Sequence, residues 1–98
     1  MRITLKRSGG FSGIRTTASL DLANLPKKKV AEAQALIDAA KFFDLPAAIR
    51  SERPQPDRFQ FDLTIEADDR VHTVSIAEEA ASKELRALLA WLQKNLKT

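Results

Sequence analysis

One histidine, no cysteine and three glycines bound the chemistry open to this 98-residue chain. His72 stands alone, so neither a two-histidine zinc site nor a His-Glu-x-x-His protease helix is present. A serine and histidine pair built with Ser75 or Ser19 lacks a nucleophile-elbow context, and His72 reads as a strand residue with a structural or binding role. The missing cysteines remove disulfides, thiolate metal sites and thiol nucleophiles together. Glu66, Asp68 and Asp69 bring carboxylates close in sequence, yet without the ligand spacing and glycine of a calcium loop, and read as a solvated turn. No metal or cofactor is expected.

All three glycines fall in Ser8-Gly9-Gly10-Phe11-Ser12-Gly13. No Gly-Lys-Ser/Thr follows them and the next element has the pattern of a strand, so this is not a phosphate cradle at a helix N-terminus. Glycine opens backbone conformations closed to other residues and weakens element interiors, so its concentration here marks a protruding loop. Phe11 is then a large apolar side chain at a tip. It either folds back onto its own domain or anchors in a concave site on another protein.

Two strands must carry that loop. Ile3 and Leu5 alternate with Arg2, Thr4 and Lys6, and Ile14, Thr16, Ala18 and Leu20 alternate with Arg15, Thr17 and Ser19, which predicts a hairpin with the glycines at its end. Pro26 suits the first turn of a helix whose stripe is Val30, Ala33, Leu36, Ile37 and Ala40. Phe42 and Phe43 close that helix, and Leu45-Pro46 ends it. Residues 44–57 contain Pro46, Pro54 and Pro56 and read as a long irregular connection. Phe59, Phe61, Leu63 and Ile65 alternate with Gln60, Asp62, Thr64 and Glu66, and a turn at 67–70 returns the chain into a strand from Val71 to Ile76. Ser82 is placed to cap a last helix that buries Leu85, Leu88, Leu89, Leu92 and Leu96, with Trp91 on the flank of the stripe. The expected fold is α+β in the order ββαββα: a four-stranded, mainly antiparallel sheet with two helices packed on one face, forming a single domain over residues 1–98.

Composition is ordinary for a globular protein, at 44% hydrophobic and 30% charged residues. No apolar run is long enough to cross a bilayer and the N-terminus lacks the apolar core of a secretory signal, so the expectation is a cytoplasmic protein with no membrane partner. The net charge is only +3. Its densest run, Lys27-Lys28-Lys29, sits at a helix start with Glu32 in reach, and reads as solvated surface. A four-stranded sheet backed by two helices is also the shape of modules that stack RNA bases on sheet aromatics. Here Phe59 and Phe61 share the parity of Leu63 and Ile65, so they face the core, and the opposite face is acidic and without aromatics. No nucleic-acid partner is expected, although a weak nucleic-acid binder stays open as an alternative, as does a protein-binding adaptor.

The segments Ser8-Gly9-Gly10-Phe11-Ser12-Gly13-Ile14, Phe42-Phe43-Asp44-Leu45-Pro46, Pro56-Asp57-Arg58-Phe59-Gln60-Phe61 and His72-Thr73-Val74, with the closing 85–92 stretch and Trp91, together resemble the emfourin family. The similarity keeps its order over nearly the whole chain. It implies a bacterial proteinaceous inhibitor of thermolysin-like, protealysin-like zinc metallopeptidases, not an enzyme, with the zinc supplied by the protease. Phe11 would then enter the enzyme's apolar pocket while the slim Gly9, Gly10 and Gly13 let the backbone approach, with Ser8 and Ser12 in the same contact. One loop tip cannot bury the ~800 Å² per partner of a protease-inhibitor contact. The candidates for a second contact are Arg50 and Arg53 in the proline-containing connection, the turn Asp68, Asp69, Arg70, and Met1. The free inhibitor is expected to be a monomer.

Overall fold

A computed structural model describes residues 1–9, 15–50 and 59–95. Strands β1 (Arg2–Gly9), β2 (Thr16–Asp21), β3 (Ala48–Ile49), β4 (Phe59–Glu66) and β5 (Val71–Ala77) accompany helices α1 (Lys27–Ala40) and α2 (Lys83–Asn95). They form one mixed sheet in the order β2-β1-β4-β5-β3. The α+β class and the two helices match the sequence reading, but the sheet has five strands where four were expected. The fifth is β3, inside the stretch read as irregular. Two residues are too few for alternation to be visible, and β3 exists because the Ser75 amide donates to the Ala47 carbonyl at 2.8 Å and aligns Ala48–Ile49 parallel to β5.

Alternation along β1, β4 and β5 puts Ile3 and Leu5, Phe61, Leu63 and Ile65, and Val74 and Ile76 on one buried face. Burying each such side chain is worth about 1.5–3 kcal/mol, which is why a one-residue slip of register is not tolerated. Ala33, Ile37 and Ala40 of α1 and Leu85, Leu88, Leu89 and Leu92 of α2 close over that face. The opposite face carries short polar side chains, including Thr64 and Thr73, whose hydroxyls are 2.9 Å apart, and Ser75, whose hydroxyl donates to Asp62.

α2 begins as its sequence suggests, with the Leu85 amide donating to Ser82 Oγ at 3.1 Å. α1 ends earlier than expected. Lys41 takes a left-handed conformation at φ 52°, ψ 48°, and its amide turns back to the Asp38 carbonyl at 3.1 Å. Phe42 and Phe43 therefore lie beyond the helix, in a separate 3-10 turn over Phe42–Asp44. Nothing in the apolar spacing distinguishes a helix that continues through Phe42 from one that breaks to drive Phe42 into the core, where it is 1% exposed. Trp91 is half-buried against the core, and its buried Nε1 has no partner among the described residues.

Strand directions define two ends of the sheet. Arg2 of β1 lies beside Asp21 of β2 and Glu66 of β4, and Glu66 beside Val71 of β5. At the other end Gly9 lies beside Phe59, and Gln60 beside Ala77. Seven residue steps separate the two ends of β1, about 23 Å.

Candidate functional site

The segment with the strongest sequence signal leaves the sheet at Gly9. Gly9 has φ 98°, a conformation that strongly favours glycine, so the chain departs β1 here by a turn that a side chain would oppose. Ser8 precedes it, half-buried and paired with Gln60. Gly10, Phe11, Ser12 and Gly13 lie outside the described residues, as does Ile14, and Arg15 leads back into β2.

The second long connection is rooted at the same end. Arg50, exposed, follows β3, whose Ile49 is level with Ile76 near the close of β5. Arg53 lies outside the described residues, and the chain returns at Phe59, the register partner of Gly9. Two loops far apart in sequence thus have neighbouring roots at Gly9 and Phe59, one strand spacing of about 4.8 Å apart, while the Arg50 root stands three strands from β1.

The other candidates stand at the opposite end. Met1 is half-buried there, its carbonyl accepting from the Leu22 amide at 2.9 Å. Asp68, Asp69 and Arg70 are exposed in the tight turn between β4 and β5, closed by the Ala67 amide on the Arg70 carbonyl at 2.8 Å. They stand about 23 Å from the glycine end, along the length of the strands. Sequence could not settle this, because strand alternation reports which face a residue is on and not which end of a sheet a turn falls at.

A cation at the glycine end went unnoticed in the sequence. Arg7 has the parity of Ile3 and Leu5, and its guanidinium carbon lies 4.8 Å from the centroid of the Phe59 ring. Phe59 in turn is 6.4 Å from Phe61, half-buried at the margin of the core. The expectation that Phe59 is a core residue holds only in part: it packs against the core and is roofed by Arg7. A charged residue at an apolar-face position is the signal that marked it. Beside Phe61 a cleft of about 410 Å³ opens, lined by Glu78, Glu79, Arg86, Leu89, Ala90 and Gln93. Its lining mixes charged Glu78, Glu79 and Arg86 with apolar Phe61 and Leu89.

His72 belongs to the far end and is structural. The Leu45 carbonyl can only accept, so His72 Nε2 carries the proton and donates to it at 2.8 Å. The imidazole meets Phe42 edge-on at 5.4 Å between centroids, and Arg70 lies 3.8 Å over the Phe43 ring. This cluster pins the 3-10 turn to β5. Replacing His72 with alanine removes a part-buried hydrogen bond and an aromatic contact, and is expected to cost about 2 kcal/mol in chemical denaturation. An unchanged denaturation midpoint would contradict that role.

Among the described residues no group of three or more His, Asp or Glu side chains is arranged to hold a metal ion. No helix among them is long and apolar enough to cross a membrane. Of the lysine run, Lys29 is tied down, with Nζ donating to Asn95 Oδ1 at 3.1 Å and joining the start of α1 to the end of α2.

The family model described as Emfourin matches residues 5–93. No curated protein compared with the chain matches it. Among solved structures, the chain is similar to emfourin (M4in) from Serratia proteamaculans, an M4 family peptidase inhibitor, with 18% identity over 99% of this chain and 90% of that one and a TM-score of 0.48.

Proposed function

The chain belongs to the emfourin family, and on that premise we propose that it inhibits thermolysin-like zinc metallopeptidases of the M4 type by presenting the glycine end of its sheet to the enzyme's cleft. Such a protein is a binding module and not an enzyme. Phe11 is the anchor, entering the pocket that takes the bulky apolar side chain next to the scissile bond. Gly9 and Gly10 keep the approaching backbone slim, and the sheet holds the loop so that it is not turned over as a substrate.

The observation that carries this reading is the pairing of Gly9 with Phe59. It supports this reading because the Phe59 root of the 51–58 connection adjoins the root of the glycine loop; Arg50, at the other root after β3, stands three strands from β1 and with Arg53 widens the contact, while Ser8, Ser12 and Gly13 flank the anchor. Two adjacent loops supply an interface of the usual ~800 Å² per partner, which neither tip reaches alone. Met1, Asp68, Asp69 and Arg70 fall outside it. The free chain acts as a monomer at the dilute concentrations of an inhibition assay.

Steady-state inhibition of a purified thermolysin-like peptidase tests the reading, with one charge reversed at each end. Arg50→Glu is expected to raise the inhibition constant about tenfold or more, and Asp69→Lys to leave it within about threefold. The opposite pattern would move the interface to the turn at 68–70, and no inhibition by the unaltered chain would end the proposal.

A further inference from the structure

We infer that β2 is a self-complementary docking edge, and that at high concentration two copies of this chain join antiparallel along it into one continuous ten-stranded sheet. The two edges of the sheet are unequal. β3, at one edge, is two residues long, a short edge of the kind that resists pairing. β2, at the other, has six residues without proline, lysine or a bulge, and its outer side pairs with no strand among the described residues.

Which backbone groups face outward follows from one hydrogen bond. The Leu22 amide donates to the Met1 carbonyl, which makes Met1 and Leu22 a hydrogen-bonded pair. Antiparallel ladders alternate such pairs with non-bonded ones, so Leu20, Ala18 and Thr16 turn their amides and carbonyls to β1. Asp21, Ser19, Thr17 and Arg15 turn theirs outward. Those same four residues are exposed, while Thr16, Ala18 and Leu20 are half-buried towards the helices.

A second copy must keep both faces in phase, which restricts the two-fold axis to a residue and excludes a position between residues. Centring it on Ala18 sets Thr17 opposite Ser19 and Arg15 opposite Asp21, twice over. Every outward amide and carbonyl from Arg15 to Asp21 then finds a partner, and both charges are paired. Centring on Thr17 or on Ser19 sets Arg15 opposite Ser19 or Asp21 opposite Thr17, with fewer ladder bonds and unpaired charges. The Ala18-centred register is therefore the favoured one. Asp21 already accepts the Ala23 amide at 3.0 Å, which holds its carboxylate at the edge. A contact along one strand is small beside the ~1,600 Å² of a standard interface, so the association is weak, with a dissociation constant on the order of 10–1000 μM.

The chain contains no cysteine, so single cysteines read the register directly. In the Ala18-centred dimer the two copies of residue 18 form a non-hydrogen-bonded pair about 4.5 Å apart at Cα, within the ~4.4–6.8 Å that a disulfide spans. Under mild oxidation Ala18→Cys is expected to cross-link into dimers well ahead of Thr17→Cys and Ser19→Cys. Sedimentation up to about 1 mM should show the mass rising from 10.9 kDa towards twice that value. Ser19→Pro removes only an outward amide, so it should raise the dissociation constant about tenfold or more while the dilute monomer melts as before. A chain that stays monomeric at about 1 mM, or three cysteine variants that cross-link equally, overturns the proposal. These measurements need no peptidase, so their failure leaves the inhibitor reading standing.

Discussion

Phe11→Ala is expected to raise the inhibition constant against a thermolysin-like peptidase about 30- to 1000-fold while leaving the melting temperature nearly unchanged. The range follows from the roughly 2–4 kcal/mol typical of truncating a buried aromatic anchor at an interface. The small change in stability follows from the place of the loop. In sequence Phe11 falls between Gly9, where β1 ends, and Arg15, before β2 begins, and among the described residues the core is closed by large apolar side chains of β1, β4, β5, α1, α2 and the Phe42 turn. Phe11→Leu should recover part of the loss, since leucine keeps much of the apolar area that the anchor buries. Inhibition by Phe11→Ala equal to that of the unaltered chain, with a lowered melting temperature, would show that the ring belongs to the domain's own interior and that some other surface engages the enzyme.

The second large effect lies at the other end of the molecule and should have the opposite signature. Phe42 is 1% exposed and meets both Phe43 and His72 edge-on, at 5.5 and 5.4 Å between centroids. Phe42→Ala leaves a cavity where the 3-10 turn docks on β5, and is expected to cost about 3–5 kcal/mol. In a domain of this size each kcal/mol lowers the melting temperature by roughly 4–8 °C, so a fall of about 12–40 °C is expected by calorimetry. At low temperature, where the variant remains folded, inhibition should be within about threefold of the unaltered chain, because Phe42 is separated from Gly9 by the length of the strands. A loss of inhibition in parallel with Phe11→Ala, in a variant shown to be folded, would place the peptidase contact at this end instead.

These two substitutions separate the parts of the molecule that hold the fold from the part that meets a partner. Arg7 and Phe59 lie between them. The guanidinium 4.8 Å over the Phe59 ring stiffens the base from which both long loops depart, worth about 0.5–1 kcal/mol at an exposed site. A rigid base matters for an inhibitor, because freedom retained in the loop has to be surrendered on binding and subtracts from affinity.

Local pattern alone determined the faces. Alternation assigned Ile3, Leu5, Phe61, Leu63 and Ile65 to one side of a sheet, helical spacing assigned Ala33, Ile37, Leu85 and Leu88 to the stripes that cover it, and Ser82 marked the start of α2. These features repeat within a few residues, so they can be read without knowing what lies across the chain. The departure of the chain from β1 at Gly9, with φ 98°, was legible in the run of glycines for the same reason. What only the tertiary structure decided was adjacency. Ala48–Ile49 became a strand because β5 offered it a partner, α1 broke at Lys41 so that Phe42 could dock beside His72, and Gly9 came to lie against Phe59 while Met1 and the turn at 68–70 went to the far end. Strand order and direction are settled by long-range pairing and by the burial of a shared core, and two- or three-residue segments carry no period from which such partners can be foretold.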